Sequence, residues 1–300
     1  MTDNTLHTVL LTGATGFIGS HVRRALSDME VHTLSRAECD LERQTPVLTR
    51  SYDAVVHVAG TDEAARADAL NNEGTKRLLR SLEAFPPKTL TFISTVHVYG
   101  RNPGEDVAED TFLRPDTEYA RSKIRAEKEC ESWCAAHGVT LTILRPALVA
   151  GSGMHGRLAE MAAAVRQGRY FHIRGNVARR SLVMACDVAK AVRLTLGLPG
   201  VYNVCDGYNR TVRELADAMT RNFGTDKRLL TVPLTPLKLF ATVARVVTPL
   251  RSLISAEKLQ TLTASATFSN RRLTEATGMK FYDTVEVIAR RDTDYPYEDE

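Results

Sequence analysis

The sequence predicts an α/β protein in which helices cover both faces of a parallel β-sheet, and three observations support this class. Short apolar runs rich in β-branched residues alternate with segments of helical periodicity. Several runs are apolar at nearly every position, as in strands that are buried on both faces, and a glycine-rich turn joins the first run to the first helical segment. We therefore expect a doubly wound parallel sheet over residues 1–150 and a smaller, mixed α/β lobe over residues 151–300, with residues 181–204 returning to the first domain.

The composition is that of an ordinary globular chain with a small excess of positive charge. It has 300 residues, and 39 basic minus 36 acidic side chains leave a formal net charge of +3. Only nine of the basic residues are lysines. Because arginine suits phosphate and carboxylate groups, we expect a small anionic ligand and no nucleic acid. No apolar run reaches the ~20 residues of a membrane-spanning helix, so we expect no integral membrane segment.

Three features of the sequence indicate the cellular compartment and whether a metal is bound: the cysteines, the histidines and the first residues. The five cysteines are scattered, and no basic region followed by an apolar stretch opens the chain. We therefore expect reduced thiols and a cytoplasmic protein. The eight histidines show no ligand spacing with cysteine or carboxylate, so no metal site is expected.

The stretch from Thr12 to Gly19 carries the strongest local signal, since it follows the apolar run Thr8 to Leu11 and reads T-G-A-T-G-F-I-G. Backbone N–H groups at such a turn suit a pyrophosphate, although an ordinary αβ turn is the alternative. Gly13 permits the tight turn, Gly16 the approach of phosphate and Gly19 close packing of the helix. If the loop binds a dinucleotide, we expect its contacts from Gly13, Thr15, Gly16, Phe17, Ile18 and Gly19.

The end of the second predicted strand bears on the choice of cofactor. This strand, Val31 to Leu34, is followed by Ser35 and Arg36. In dinucleotide-binding folds an acidic residue here binds the ribose 2′-hydroxyl of NAD, whereas arginine accommodates the 2′-phosphate of NADP. Ser35 and Arg36 therefore favour NADP over NAD slightly, unless Arg36 is only a solvated loop residue. Asp40 and Leu41 follow, where the adenine edge could be met.

Two hydroxyl side chains lie where a parallel sheet presents its ligands. Ser94 and Thr95 come directly after the predicted strand Thr89 to Ile93. Ligands of open α/β sheets bind outside the carboxyl ends of the strands, so both hydroxyls are candidates for substrate contact. A helix cap is the alternative role for such residues.

A tyrosine and a lysine share one face of the next predicted helix. Tyr119 and Lys123 are four residues apart in a segment that runs towards His137. A neighbouring ammonium favours the phenolate, and so lowers the pKa of a tyrosine from its usual value of about 10. Such a phenol can exchange a proton with a substrate hydroxyl while a hydride moves to or from nicotinamide.

The second half of the chain contains an arginine cluster and an apolar stripe. Arg174, Arg179 and Arg180 precede an apolar strand at residues 181–184. They could clamp a diphosphate or form a solvated basic edge. Apolar residues recur at helical spacing from residue 237 to residue 250, and we interpret that stripe as core packing or as a contact between lobes or subunits.

Taken together, these motifs resemble the extended short-chain dehydrogenase/reductase superfamily, in its branch of NAD(P)-dependent sugar epimerases, dehydratases and reductases. Thr12 to Gly19 is similar to that family's nucleotide loop, and Val56 to Gly60 is similar to its strand end against the cofactor. Asn71 to Thr75 is similar to its N-x-x-G-T motif, and Phe92 to Gly100 to its hydroxyl-bearing strand end. The tyrosine–lysine pair matches its catalytic pair. The resemblance covers nearly the whole chain and implies a Rossmann domain followed by a substrate-binding lobe.

The resemblance also implies roles for individual residues. Tyr119 would be the acid/base, Lys123 would lower its pKa and hold the nicotinamide ribose, and Thr95 would bind the reacting oxygen. Asn71 would support the site through its helix. Members of the family often pair through the helix that bears the tyrosine, so a homodimer is expected. Further implied cofactor contacts are Val58, Ala59, Gly60, Tyr119 and Lys123, and implied substrate contacts are Ser94, Thr95, Arg174 and Arg180.

One departure from the family's pattern narrows the activity. Sugar 4,6-dehydratases of this family carry an acidic pair directly after the threonine, where this chain has Val96 and His97, so a dehydratase is disfavoured. We expect a hydride-transferring epimerase or 4-keto reductase that acts at C4 of a nucleotide-activated sugar. The alternatives are an NADP-dependent reductase of a hydrophobic ketone, of the steroid or flavonoid type, and a non-catalytic nucleotide-binding protein.

Overall fold

The computed structural model describes residues 6–224, 229–234 and 262–290. Its strands alternate with helices over the first 200 residues, as the sequence predicts. The strands are β1 Thr8–Thr12, β2 Glu30–Leu34, β3 Ala54–His57, β4 Thr89–Ile93, β5 Gly104–Val107, β6 Thr140–Pro146, β7 Leu148–Ala150, β8 Phe171–Ile173, β9 Arg179–Arg180, β10 Leu182–Met184, β11 Gly200–Val204, β12 Arg210–Thr211, β13 Leu230–Val232 and β14 Ala266–Phe268.

The helices lie mostly between consecutive strands. They are α1 Phe17–Ala25, α2 Ala64–Ala67, α3 Glu73–Ser81, α4 Glu118–His137, α5 Gly156–Arg166, α6 Ala185–Thr195, α7 Val212–Asn222, α8 Arg271–Thr277 and α9 Thr284–Ala289, with a π-helical turn at Asp68–Asn72 and a 3-10 turn at Val96–Tyr99.

Six parallel strands form the central sheet in the order β11-β6-β4-β3-β1-β2. The chain leaves β1 for β2 on one side and returns to β3 on the other. Loops after β1 and β3 therefore part at the carboxyl edge of the sheet, which creates the crevice where open α/β sheets bind ligands. The predicted doubly wound parallel sheet is confirmed.

Alternation along β1 divides the core between the two faces of the sheet. Val9 and Leu11 pack with α1 and α6, including Val22 and Val188. Leu10 packs on the opposite face, where α3 and α4 cover the sheet. Because both faces are covered, the strands are apolar throughout, and this explains their nearly continuous hydrophobic runs.

The helical segment after β3 consists of three parts, which span residues 64–81. The π-helical turn Asp68–Asn72 separates α2 from α3. The Thr75 hydroxyl donates to the Asn71 carbonyl at 2.6 Å, and the Asn71 side chain bonds to groups outside the helix. Such π turns are frequent at functional sites, and here the turn carries Asn71 to the sheet edge.

The helix that bears the predicted tyrosine–lysine pair has the expected bounds because both of its ends are capped. The Thr117 hydroxyl accepts from the Ala120 N–H at 3.1 Å. At the other end Gly138 adopts a left-handed conformation with φ 66°, which suits glycine because it has no Cβ.

The second lobe contains small sheets and its own apolar core. The strands β7 and β10 form one pair, β8 and β13 another, and β5, β9, β12 and β14 a four-stranded mixed sheet. Helices α5, α7 and α9 pack on a core that includes Leu158, Leu215 and Met219. Strand β11 belongs to the central sheet, where it pairs with β6. The limits predicted for the two domains stay a prediction.

Two stretches of the sequence lie outside the described residues: the apolar stripe at residues 237–250 and the acidic segment at residues 295–300. Within the ranges that the structure describes, no helix is both long and apolar enough to cross a membrane.

Candidate active site

The glycine loop after β1 forms a tight turn that leads into α1. The Gly16 N–H donates to the Gly13 carbonyl at 3.0 Å. Gly13 has φ +72°, and a Cβ there would lie 2.6 Å from the Ala59 nitrogen. A Cβ on Gly19 would lie 1.9 Å from the Gly13 oxygen. Since neither position has room for a side chain, the turn packs closely against Ala59 and the start of α1, while Thr15 and Gly16 are exposed at its tip.

The end of β3 forms the opposite wall of this groove. The Ala59 N–H donates to the Thr12 hydroxyl at 3.2 Å, which ties the two strand ends together. A Cβ on Gly60 would lie 3.0 Å from both Asn71 Oδ1 and Lys123 Nζ. Gly60 therefore lies directly beside Asn71 and Lys123, where a side chain would have no room. A bare backbone turn at a helix N-terminus beside a glycine-lined wall fits a dinucleotide.

The other predicted loop contacts differ in exposure. The Phe17 ring packs edge-on against His21 and His155, with centroids 5.8 and 5.9 Å apart. Ile18 and Val58 are partly buried against the core. Phe17 therefore packs beside the loop, whereas Ile18 and Val58 face the core.

The end of β2 carries a charged loop. The Ser35 N–H donates to Glu38 at 2.8 Å. Arg36 lies 3.7 Å from Asp40 and 3.8 Å from Glu42, and its side chain is 66% exposed. These separations exceed normal hydrogen-bond lengths, so the guanidinium keeps access to solvent. Leu41 is buried in the core, so its side chain is turned away from solvent.

Thr95 and Tyr119 meet beyond the end of β4. The hydroxyl of Thr95 interacts with the phenol and lowers the pKa of Tyr119. Burial has the larger effect, and together with the charge of Asp62 it raises the pKa of Tyr119 to about 12. The phenol is therefore protonated near neutral pH. It can donate a proton to an oxygen in the groove, as the reduction of a ketone requires.

Lys123 is buried directly beneath this pair. Its Nζ donates to the Ile93 carbonyl at 2.8 Å and lies 4.8 Å from the centre of the Phe92 ring. Burial lowers the pKa of Lys123 to about 8, against the opposing charges of Cys130 and Glu127. The sequence predicts that this lysine lowers the tyrosine pKa. In the structure burial raises that pKa instead, and the group that lowers it is Thr95.

Asn71 closes the site from the side of the π-helical turn. Its Nδ2 donates to the Ser122 hydroxyl at 2.9 Å and to the Thr61 carbonyl at 2.9 Å. Its Oδ1 accepts from the Thr61 N–H at 2.8 Å. The side chain thereby links the loop after β3 to α4, next to Lys123.

Buried His57 connects the glycine loop to the same turn. The Thr75 hydroxyl donates to the Asn71 carbonyl, so it accepts from His57 Nε2 at 2.9 Å. His57 Nδ1 then accepts from the Thr12 hydroxyl at 2.6 Å. Burial, with the charge of Lys123, lowers the pKa of His57 to about 3, so the ring is neutral and supports the site as a hydrogen-bonding spacer.

The predicted substrate contact Ser94 points elsewhere. Its hydroxyl donates to the Glu127 carboxylate in a short hydrogen bond. Glu127 also pairs with Arg145, whose NH1 donates to the Tyr99 hydroxyl at 2.9 Å. The structure therefore gives the Ser94 hydroxyl a partner inside the protein, while its role towards substrate stays a prediction.

The arginines of the second lobe separate in space. Arg174 is exposed at the end of β8, whereas Arg180 is half-buried and donates to the Ala264 carbonyl at 2.5 Å. Burial lowers the pKa of Arg180, and so does the charge of Arg157. The same Arg157 lowers the pKa of His97 beside the tyrosine. The charge of Arg157 therefore acts both on His97 and on Arg180, and two like charges close to each other favour an anion.

Sequence reasoning did not find Arg157, Asp62 or the contacts of His97. The charge of Asp62, which follows β3, raises the pKa of both Tyr119 and His97. Arg157 lies in the first turn of α5. A position just beyond the carboxyl end of a parallel strand is the signal that could have identified Asp62. His97 lies two residues after Thr95, and only the 3-10 turn brings its ring back to the threonine.

The fold and this arrangement define a dinucleotide-binding protein of the extended short-chain dehydrogenase/reductase kind. The chain belongs to the NAD dependent epimerase/dehydratase family, whose model matches residues 9–205. The sequence-based assignment to this family of NAD(P)-dependent enzymes is confirmed.

Relatives within the family are epimerases and reductases. The chain is 26% identical over 231 residues to N-acetyl-alpha-D-glucosaminyl-diphospho-ditrans,octacis-undecaprenol 4-epimerase of Escherichia coli O157:H7, a match that covers 69% of this chain and 66% of that protein. It is 29% identical over 241 residues to GDP-6-deoxy-D-mannose reductase of Pseudomonas aeruginosa, covering 70% and 78%. Among solved structures, RMD from Pseudomonas aeruginosa complexed with NADPH shares the fold with a TM-score of 0.71 at 24% identity, covering 96% of this chain and 97% of that one.

Proposed function

We propose that the protein is an NAD(P)-dependent epimerase or 4-keto reductase that acts at C4 of a nucleotide-activated sugar. The observation that carries this proposal is the meeting of Thr95, Tyr119 and Lys123 at one end of the glycine-lined groove. Proton exchange at a hydroxyl and hydride transfer to nicotinamide are the chemistry that such an arrangement supports.

Each residue has a distinct task in this reaction. Tyr119 exchanges a proton with the C4 oxygen, and its raised pKa keeps the proton in place for donation to a ketone. Thr95 holds the same oxygen by a hydrogen bond. Lys123 holds the cofactor ribose, and its ammonium is fixed next to Gly60 by the Ile93 carbonyl. The dinucleotide, when bound in the groove, supplies or accepts the hydride.

The substrate is proposed from charge. The charge of Arg157 lowers the pKa of Arg180, so the two arginines lie close enough to interact, and paired guanidinium groups suit a diphosphate. The names of both relatives describe sugars carried on a diphosphate, GDP in one and diphospho-undecaprenol in the other. We assign a nucleoside diphosphate as the carrier.

NADP is the cofactor that the β2 loop favours. Arg36 is exposed and only loosely paired with Asp40 and Glu42, so it can turn to a 2′-phosphate without breaking a strong ion pair. A reductase must release its oxidised cofactor after each turnover, whereas an epimerase retains it. Because Arg36 is exposed and favours NADP, it agrees better with a reductase than with an epimerase.

A ligand screen followed by an activity assay tests the proposed function. Binding of a ligand by the folded state raises its melting temperature, so we expect shifts with NADPH and with a nucleotide sugar. Loss of nicotinamide absorbance with a 4-keto sugar identifies a reductase. Inversion at C4, seen by NMR without net absorbance change, identifies an epimerase. A shift with a hydrophobic ketone and none with any nucleotide sugar or nucleoside diphosphate would contradict the proposal.

Two further properties are proposed from the resemblance and the thiols. A homodimer through α4 is expected, and light scattering measures it directly. The five cysteines are all free thiols, which suits the cytoplasm.

Arg180→Ala tests the proposed diphosphate site. We expect the variant to bind a nucleoside diphosphate about tenfold more weakly while its binding of NADPH is unchanged, which separates the substrate site from the cofactor site.

A further inference from the structure

His97 lies against both reacting side chains of the site. It occupies the 3-10 turn that begins directly after Thr95. Its Nδ1 is 2.9 Å from Thr95 Oγ1. Its ring meets the Tyr119 ring edge-on, with centroids 5.9 Å apart. Thr95, His97 and Tyr119 therefore form a contiguous polar group.

The hydrogen-bonding capacity of the Thr95 hydroxyl restricts how this group is arranged. A hydroxyl has one proton to donate and two lone pairs. One lone pair of Thr95 accepts from the His97 backbone N–H at 3.2 Å. The other lone pair and the proton remain for the His97 ring, 2.9 Å away, and for the reacting oxygen.

The reacting oxygen decides how the threonine proton is used. A ketone oxygen can only accept hydrogen bonds, so Thr95 must use its own proton if it holds the C4 oxygen as proposed above. The remaining lone pair of Thr95 must then accept from His97. This requires a proton on Nδ1 of the imidazole and leaves Nε2 as an acceptor.

We propose that His97 is a positioning residue: as the neutral Nδ1–H tautomer it donates to Thr95 Oγ1, and thereby directs the Thr95 proton to the reacting oxygen. This inference rests on the proposed function of the site. In the opposite tautomer Thr95 donates its proton to His97. The threonine would then have none to offer to the substrate oxygen or to the tyrosine.

The surroundings of His97 keep the ring neutral. Burial lowers its pKa to about 4, and the charge of Arg157 in α5 acts in the same direction. Asp116, before α4, and Asp62, after β3, oppose this shift but do not reverse it. In the part of the chain that the structure describes, no protein group hydrogen-bonds to Nε2. That nitrogen is therefore available as an acceptor on the open side of the ring.

A double-mutant cycle tests whether His97 acts through Thr95. Thr95→Val removes the hydroxyl and should lower kcat about 100-fold, whereas His97→Phe keeps the ring volume and should lower kcat about 30-fold with KM changed less than about threefold. Because the histidine works through the threonine, the double variant should be no slower than Thr95→Val alone. His97→Asn, whose amide N–H can replace Nδ1–H, should recover most of the activity. If the loss of kcat in the double variant equals the product of the two single losses, the proposal is overturned.

A second measurement does not depend on turnover. Two-dimensional NMR of protein with ¹⁵N-labelled histidine, assigned by the cross-peak that disappears in His97→Asn, reports the tautomer. We expect the Nδ1–H form and no protonation of His97 down to about pH 5. An Nε2–H form overturns the inference even if a nucleotide sugar is turned over. Absence of turnover with the Nδ1–H form present would instead refute the proposed function.

Discussion

Glu127 and Arg145 form a buried ion pair directly behind the end of β4. Arg145 NH2 lies 2.6 Å from Glu127 Oε2, and Nε lies 3.0 Å from Oε1, in a two-point contact. The side chains are 3% and 5% exposed. Because Ser94 and Tyr99 bond to the same pair, it ties α4 and β6 to the residues that follow β4.

Removing one member of this pair should destabilise the fold strongly. Glu127→Ala leaves the Arg145 charge buried without its partner, which typically costs about 3–5 kcal/mol of unfolding free energy. Urea unfolding measures the loss. Glu275→Ala is the matched control, because its contact with Arg271 spans 3.8 Å between side chains that are 71% and 82% exposed. A similar loss in both variants would contradict the structural role of the buried pair.

His57 should make stability depend on pH. Its folded pKa of about 3 lies below the unfolded value of 6.5. Between those values the unfolded chain binds a proton that the folded protein does not, so stability is full above about pH 7 and falls as the pH drops. At pH 5 the expected loss from this one group is about 2 kcal/mol.

Comparison with a variant isolates that contribution. His57→Gln should be less stable at pH 7 because two hydrogen bonds are lost, but its stability should fall less between pH 7 and pH 5. His7→Gln, at an exposed position, should retain the wild-type pH dependence. If unfolding curves of His57→Gln keep the full pH dependence, the histidine is not the neutral buried group described above.

Arg36 should govern the preference between the two dinucleotides. Arg36→Ala removes the guanidinium that faces solvent at the end of β2, so we expect the Kd for NADPH to rise about tenfold and the Kd for NADH to change less than about twofold. Calorimetry measures both. Arg43→Ala changes another exposed arginine of the same loop and should leave both affinities unaltered. Equal losses for NADPH and NADH in the Arg36 variant would remove the basis for choosing NADP.

The central sheet was largely predictable because its strands are defined locally. Thr89–Ile93 has the predicted bounds, since an apolar β-branched run is followed by polar residues. The helix Glu118–His137 was equally clear, with a threonine cap and a glycine stop. The π-helical turn Asp68–Asn72 was not predictable, because the partners of Asn71 are Thr61 and Ser122, which only the folded chain brings close.

The candidate site was predictable where spacing carries the chemistry. Tyr119 and Lys123 share a helix face by their separation alone, and Thr95 follows its strand directly. The environment of each group depends on tertiary packing instead. Burial of Tyr119 outweighs any lowering of its pKa, and Ser94 bonds to Glu127, 33 residues away, so neither effect can be deduced from neighbouring residues.

The rate of the chemical step in Tyr119→Phe tests the proposed mechanism most directly. The substitution removes the phenolic oxygen and keeps the ring, so we expect kcat with the nucleotide sugar to fall at least about 1000-fold. NADPH binding should change less than about threefold, which shows that the site is intact. Undiminished turnover by Tyr119→Phe, with cofactor and substrate bound normally, would contradict the assignment of Tyr119 as the group that exchanges the proton.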